Sequence, residues 1–125
     1  MAVPFSKTVD GHESHMGINH FAPFLFTALV FPVLARSGTP SSPARIVNIT
    51  SGAHRLTAIR FDDINFQDGK EYVPWQGYGQ SKTANILFAN ELARRSKEKS
   101  VSVVAYSLHP GSEPLPRPND HFIPS

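Results

Sequence analysis

Two short β-branched runs, residues 45–50 (Arg-Ile-Val-Asn-Ile-Thr) and 101–107 (Val-Ser-Val-Val-Ala-Tyr-Ser), flank a helical pattern at 78–97, and this order restricts the fold more than any other feature. Short runs rich in Val and Ile read as buried strands. A strand, a helix and a second strand make one right-handed crossover unit with the two strands parallel. Within 78–97, Ala84, Leu87, Phe88 and Leu92 recur at three- and four-residue spacing and predict the apolar stripe of the helix. Upstream, residues 11–35 are mostly apolar and too long for a strand, so they read as a helix kinked at Pro23 and Pro32, which lack a backbone donor. Helix-strand-helix-strand is half of an α/β layered sandwich. Two strands leave faces and edges that need cover, so the chain reads as part of a larger sheet.

The remaining segments are punctuation. Residues 1–10 and 37–43 read as loops, and 52–77 as a long loop with a turn of helix, the kind of connection that often carries function. With 125 residues the chain is one domain at most. Twelve Lys+Arg against 10 Asp+Glu give a net charge of +2. The basic residues are scattered apart from the pair Arg94-Arg95, which argues against nucleic-acid binding. The absence of cysteine excludes a disulfide scaffold and fits a reducing compartment. No uninterrupted apolar stretch reaches the ~18 residues that span a bilayer, and no secretory pattern opens the chain. The expectation is a cytoplasmic protein without a membrane span.

The strongest chemical signal is Tyr78-Gly-Gln-Ser-Lys82, a Tyr and a Lys four apart on a helix, preceded by Thr50-Ser51 at the end of a strand. Residues at that spacing share a helix face, so the Lys82 ammonium can sit beside the Tyr78 phenol. A free phenol ionises near pH 10, and supplying phenolate at neutral pH takes about 4 kcal/mol of differential stabilisation. A neighbouring cation acts in that direction. Ser51, at a strand's carboxyl end, lies where open α/β sheets bind ligands.

In this context the chain resembles the short-chain dehydrogenases/reductases, closest to their retinol-dehydrogenase-like and WW-domain-oxidoreductase-like branch. The matching stretches are Gly17-Ile-Asn19-His20-Phe21, Arg45-Ile-Val-Asn-Ile-Thr50-Ser51-Gly-Ala-His54 and Phe61-Asp62-Asp63-Ile64-Asn65. They continue with Tyr78-Gly-Gln-Ser81-Lys82-Thr-Ala-Asn85-Ile-Leu-Phe88 and His109-Pro110-Gly111, in the family's order. The resemblance implies that residues 1–111 are the catalytic half of a Rossmann-like, doubly wound domain, with 112–125 an irregular Pro-rich tail. It implies an NAD(P)-dependent alcohol/carbonyl oxidoreductase acting on a small alcohol, aldehyde or ketone, usually with NADP and with NAD as the alternative. Tyr78 would be the general acid/base and also contact the cofactor, and Lys82 would lower its pKa and bind the nicotinamide ribose. Ser51 would polarise the substrate carbonyl, Asn19 would hold a relay water, and Pro110 and Gly111 would lie against the nicotinamide. The two long helices would form a homodimer face.

The departures from the family are equally specific. Its glycine-rich loop reads Thr-Gly-x-x-x-Gly-x-Gly, and none of the eight glycines here takes that spacing. Met1 reads as an internal methionine of a longer chain, and residues 112–125 match nothing in the family. The competing expectation is therefore a catalytically inactive fragment or interaction product without a cofactor site. Other motifs carry less. His12-Glu13-Ser14-His15 lacks the i, i+4 histidines of a zinc helix, so no metal is expected. Asn48-Ile-Thr50 is a glycosylation sequon inside an apolar strand, and Ser51 is not in a Gly-x-Ser-x-Gly elbow. Tyr72 and Trp75 either line a substrate pocket or pack the loop.

Overall fold

The computed structural model describes residues 2–111. The reading of 112–125 as a tail lies outside the described residues. Four main elements follow in order: helix α1 (Ser14–Ser37), strand β1 (Ala44–Ile49), helix α2 (Pro74–Glu98) and strand β2 (Val103–Leu108). The strands pair in parallel, in register from Ala44 opposite Val103 to Ile49 opposite Leu108. The expected α/β order and parallel pairing are both present; β1 lies one residue before its sequence-based bounds, and β2 starts two residues and ends one residue after its own.

The N–H of Ala44 donates to Ser102 O at 3.0 Å and that of Thr50 to Leu108 O at 2.8 Å. Because main-chain groups alternate sides along a strand, those of Arg45, Val47 and Ile49 point to the open edge of β1. Side chains alternate as well. Asn48 and Val103 are buried, whereas Val47, Ile49, Tyr106 and Leu108 are about half exposed. The sheet therefore has one covered and one bare apolar face.

Helix α1 begins at Ser14, not at Gly11, which sits in a turn at φ +82°. It runs through both prolines as a single helix, as expected. Pro23 has no N–H for the carbonyl of Asn19, and that carbonyl accepts instead from Asn85 Nδ2 at 3.0 Å. A π turn at Gly17–Phe21 lies just before it, with Ala22 N–H reaching Gly17 O. The helix continues through Pro32 and closes with Gly38 N–H on Leu34 O. There a Cβ at Gly38 would lie 2.0 Å from Ser102 O, so only glycine lets the chain pass. Read through its prolines, α1 is 24 residues long and apolar enough to cross a membrane by length and composition. This corrects the sequence-based view that no segment passes that test.

The connection 57–73 is folded onto the N-terminal segment and onto helix α2. Phe66, Gln67, Asp68 and Gly69 are all left-handed, at φ +54°, +49°, +56° and +91°. Phe66 is fully buried under the Arg60 guanidinium, 5.0 Å from its ring. Lys7 pairs with Asp68 at 2.7 Å. Asn65 accepts from Glu13 N–H at 2.7 Å and donates to Gly11 O at 3.1 Å. The long loop is thus a clamp that ties the N-terminal segment to the start of α2.

Candidate active site

Helix α2 starts at Pro74, one turn earlier than the pattern at Tyr78 suggests, because proline is preorganised for a first helical position. Its buried side is polar and small: Gly77, Gly79, Gln80, Ser81, Lys82, Ala84 and Asn85. The apolar stripe expected to form its core is less covered, with Leu87 about half exposed and Phe88 facing Phe24 of α1 at 4.9 Å.

Tyr78 and Lys82 come together as the spacing requires, with Lys82 Nζ 5.5 Å from the Tyr78 ring centroid. Lys82 Nζ also donates to Ile49 O at 3.2 Å. That carbonyl lies on the open edge of β1 and takes a second bond from Asn85 Nδ2 at 3.0 Å. Thr50 Oγ1 donates to Lys82 O at 3.0 Å. Burial lowers the Lys82 pKa from its ordinary value. The end of β1 therefore grips the helix turn that bears the lysine.

Ser51 follows immediately. It caps the 3-10 turn Gly52–Leu56, with Oγ accepting from Ala53 N–H at 3.3 Å. A hydroxyl in that role keeps its own proton free to donate. No hydrogen bond joins Ser51 to Tyr78 among the described residues. What brings them to one end of the sheet is the fit of the turn on α2. A Cβ at Gly79 would lie 2.7 Å from Ala53 O, so the helix approaches the turn only because this residue is glycine. Thr83 Oγ1 lies 3.2 Å from His54 O and 3.1 Å from Thr57 O. Gln80 Nε2 donates to Ile64 O at 3.0 Å and its Oε1 accepts from Arg60 N–H at 3.3 Å. Sequence reasoning passed over Gly79, Gln80, Thr83 and Asn85. Their signal was a run of small and amide residues where an amphipathic helix should present apolar ones.

Asn19 lies in the π turn, its Nδ2 donating to Ser81 Oγ at 3.0 Å and its carbonyl accepting from Asn85. Ser81 Oγ donates to Tyr78 O at 2.7 Å, so Asn19 is linked to the tyrosine's backbone. Pro110 and Gly111 follow β2 at the same sheet end as Ser51 and are exposed. Gly111 is left-handed at φ +90°, and among the described residues nothing lies within 4 Å of where a Cβ would stand. Tyr72 packs the loop: it meets Phe5 at 5.3 Å, donates to Val3 O at 3.0 Å, and burial beside Glu13 raises its pKa to about 12. Trp75 stands half exposed against Tyr78, 6.1 Å between rings.

An exposed glycine-proline edge and an ammonium with donors to spare fit the nicotinamide-ribose end of a dinucleotide. The pyrophosphate end needs a glycine-rich turn that these 125 residues do not contain.

No protein-family model matches the chain. Curated relatives do. The chain is 46% identical over 111 residues to retinol dehydrogenase 12 of Mus musculus, covering 89% of this chain and 33% of that protein. It is 47% identical over 112 residues to retinol dehydrogenase 11 of Homo sapiens, covering 90% and 33%. It is 40% identical over 111 residues to the short-chain dehydrogenase/reductase prx1 of Penicillium roqueforti, covering 89% and 32%. A crystal structure of an uncharacterised protein from Mycobacterium paratuberculosis superposes with a TM-score of 0.79 at 40% identity, over 90% of this chain and 39% of that one. The chain thus spans about a third of the length of the curated relatives it matches.

Proposed function

The chain belongs to the short-chain dehydrogenase/reductase family, and on that premise we propose that it carries the proton-transfer centre of an NAD(P)-dependent alcohol/carbonyl oxidoreductase. The observation that carries this reading is Lys82 Nζ beside the Tyr78 ring, at the carboxyl end of the strand that Ser51 follows in sequence. In the direction of reduction, Tyr78 Oη gives its proton to the substrate carbonyl oxygen as the alcohol forms. The Lys82 ammonium stabilises the phenolate left behind. Ser51 Oγ–H donates to the same carbonyl oxygen and polarises it. A bound nicotinamide supplies the hydride. Lys82, Pro110 and Gly111 are the residues that would hold its nicotinamide-ribose end.

Burial of Lys82 has a catalytic use. An ammonium partly removed from water interacts more strongly with a neighbouring phenolate than an exposed one does. Its second contact, Ile49 O, fixes the side chain without neutralising the charge. The glycine at 79 lets α2 approach the turn that Ser51 caps.

The test joins the chain to an upstream glycine-loop half of the family type and follows NADPH-dependent reduction of retinal and simple aldehydes. Ser51→Ala and Lys82→Met are each expected to lower kcat/KM by about a hundredfold or more. Wild-type rates in both variants would refute the assignment.

A further inference from the structure

Tyr78, Lys82 and Asn85 stand at i, i+4 and i+7 of α2 and so share one helix face. Asn85 is buried, and the proton-transfer steps make no use of its amide. One atom of that amide lies 3.0 Å from Asn19 O and 3.0 Å from Ile49 O. Carbonyl oxygens only accept, so this atom is Nδ2 and both of its protons are donated. The opposite atom, Oδ1, accepts from His20 Nδ1 at 3.1 Å. Three elements therefore meet at one side chain: the π turn of α1, the end of β1 and α2 itself.

Neither carbonyl is served by the ordinary main-chain donor. Four residues after Asn19 stands Pro23, which has no N–H to give. Ile49 O points to the open edge of β1, away from β2. A carbonyl oxygen has two lone pairs, and on Ile49 O Asn85 Nδ2 takes one while Lys82 Nζ takes the other at 3.2 Å. The Tyr78 ring already lies against His15 and Trp75, at 5.7 and 6.1 Å between centroids. What remains to be fixed is the ammonium, at the end of a side chain with much rotamer freedom to lose. Its one hydrogen-bond acceptor among the described residues is Ile49 O. The place of that carbonyl therefore sets the place of Nζ, and the Asn85 amide ties the carbonyl to α2.

We propose that Asn85 is a positioning residue for Lys82, pinning the Ile49 carbonyl and the Asn19 turn against α2 so that Nζ is held beside the Tyr78 ring. This deepens the reading of Lys82 as the partner of the Tyr78 phenolate and rests on it, but the first test needs no turnover. The 125-residue chain is labelled at lysine 13Cε, the Lys82 signal is assigned with Lys82→Met, and methylene order parameters are read by NMR. Exposed Lys97 is the control. Asn85→Ala is made in a Pro23→Ala background, which returns a backbone donor four residues after Asn19 and so meets the structural need without the amide. The Lys82 order parameter is expected well above that of Lys97 in the unsubstituted chain and in Pro23→Ala alone. In the double variant it falls to the Lys97 level. Asn85→Ser, too short to reach both carbonyls, is read in the same way and serves if the alanine variant does not fold. A Lys82 signal that stays restrained in the folded variant overturns the proposal, and so does one already as mobile as Lys97 in the unsubstituted chain. Joined to a glycine-loop half, the double variant should lower kcat for aldehyde reduction about tenfold or more relative to Pro23→Ala, with the aldehyde KM nearly unchanged. If kcat holds while Tyr78→Phe still abolishes turnover, the role of Asn85 is wrong. If turnover survives Tyr78→Phe, it is the enzymatic reading that fails.

Discussion

His20 shows how one side chain couples the packing of α1 and α2 to pH. Its Nδ1 lies 3.1 Å from Asn85 Oδ1, and its ring touches Phe24 and Phe88. Burial lowers its pKa from 6.5, and the bond to Asn85 only partly offsets this. Between the lowered folded value and 6.5 the unfolded chain binds more protons than the folded one. Stability therefore falls as pH drops through that window, and the contribution is complete above 6.5. Urea midpoints at pH 7.5 and pH 5.5 should separate more in the unsubstituted chain than in His20→Gln. Equal separations would show that the imidazole is solvated. Nothing in the sequence pattern distinguished this histidine from its neighbours, because the distinguishing partner, Asn85, lies on another helix.

At the scale of elements, the periodicity of α2 located the helix but only part of its inner face, since Ala84 is buried while Leu87 is about half exposed. The stripe through Leu87 and Leu92 is the pattern of a helix lying on an apolar core. The structure instead buries Gly79, Gln80 and Ser81, because the helix must approach a turn and a strand end whose polar groups need partners. Burial of this kind depends on contacts distant in sequence, so a local pattern cannot encode it. Gly79 provides a test with an unusual sign. Glycine to alanine in a helix interior ordinarily stabilises by about 1 kcal/mol. Here the new methyl would meet Ala53 O at 2.7 Å and Thr57 Cγ2 at 3.0 Å. Gly79→Ala should therefore destabilise by about 1–3 kcal/mol in chemical denaturation. Any gain in stability would mean the turn after Ser51 is not held as described. The prolines of α1 carry a related lesson. They marked real losses of a donor, and a π turn and the Asn85 amide absorb the loss at Pro23, so the single helix expected there persists.

For the whole molecule, the parallel β1–α2–β2 unit and the Tyr78–Lys82 pair were legible in the sequence, since β-branched runs and four-residue helical spacing are local signals. The clamp formed by 57–73 was legible only as a loop: Asp68-Gly69 marks a turn, but the left-handed Phe66 and Gln67 before it carry no such signature, and the contacts to the N-terminal segment are distant in sequence. The sheet's bare face, with Val47, Ile49, Tyr106 and Leu108, is a surface that parallel sheets ordinarily cover. The proposed proton donor would need a hydride donor held beside it, and these 125 residues include no glycine-rich turn for a pyrophosphate. The chain on its own should accordingly show no saturable NADPH or NADH binding at sub-millimolar cofactor, by fluorescence titration. Saturable binding would show a dinucleotide site built without that turn. The most direct measurement compares Tyr78→Phe with the unsubstituted sequence, each joined to a family-type glycine-loop half, reading cofactor affinity and aldehyde reduction in parallel. The substitution removes one hydroxyl and leaves the ring against His15 and Lys82, so cofactor affinity should stay nearly unchanged while turnover disappears. Turnover retained in Tyr78→Phe would contradict the assignment of the proton donor.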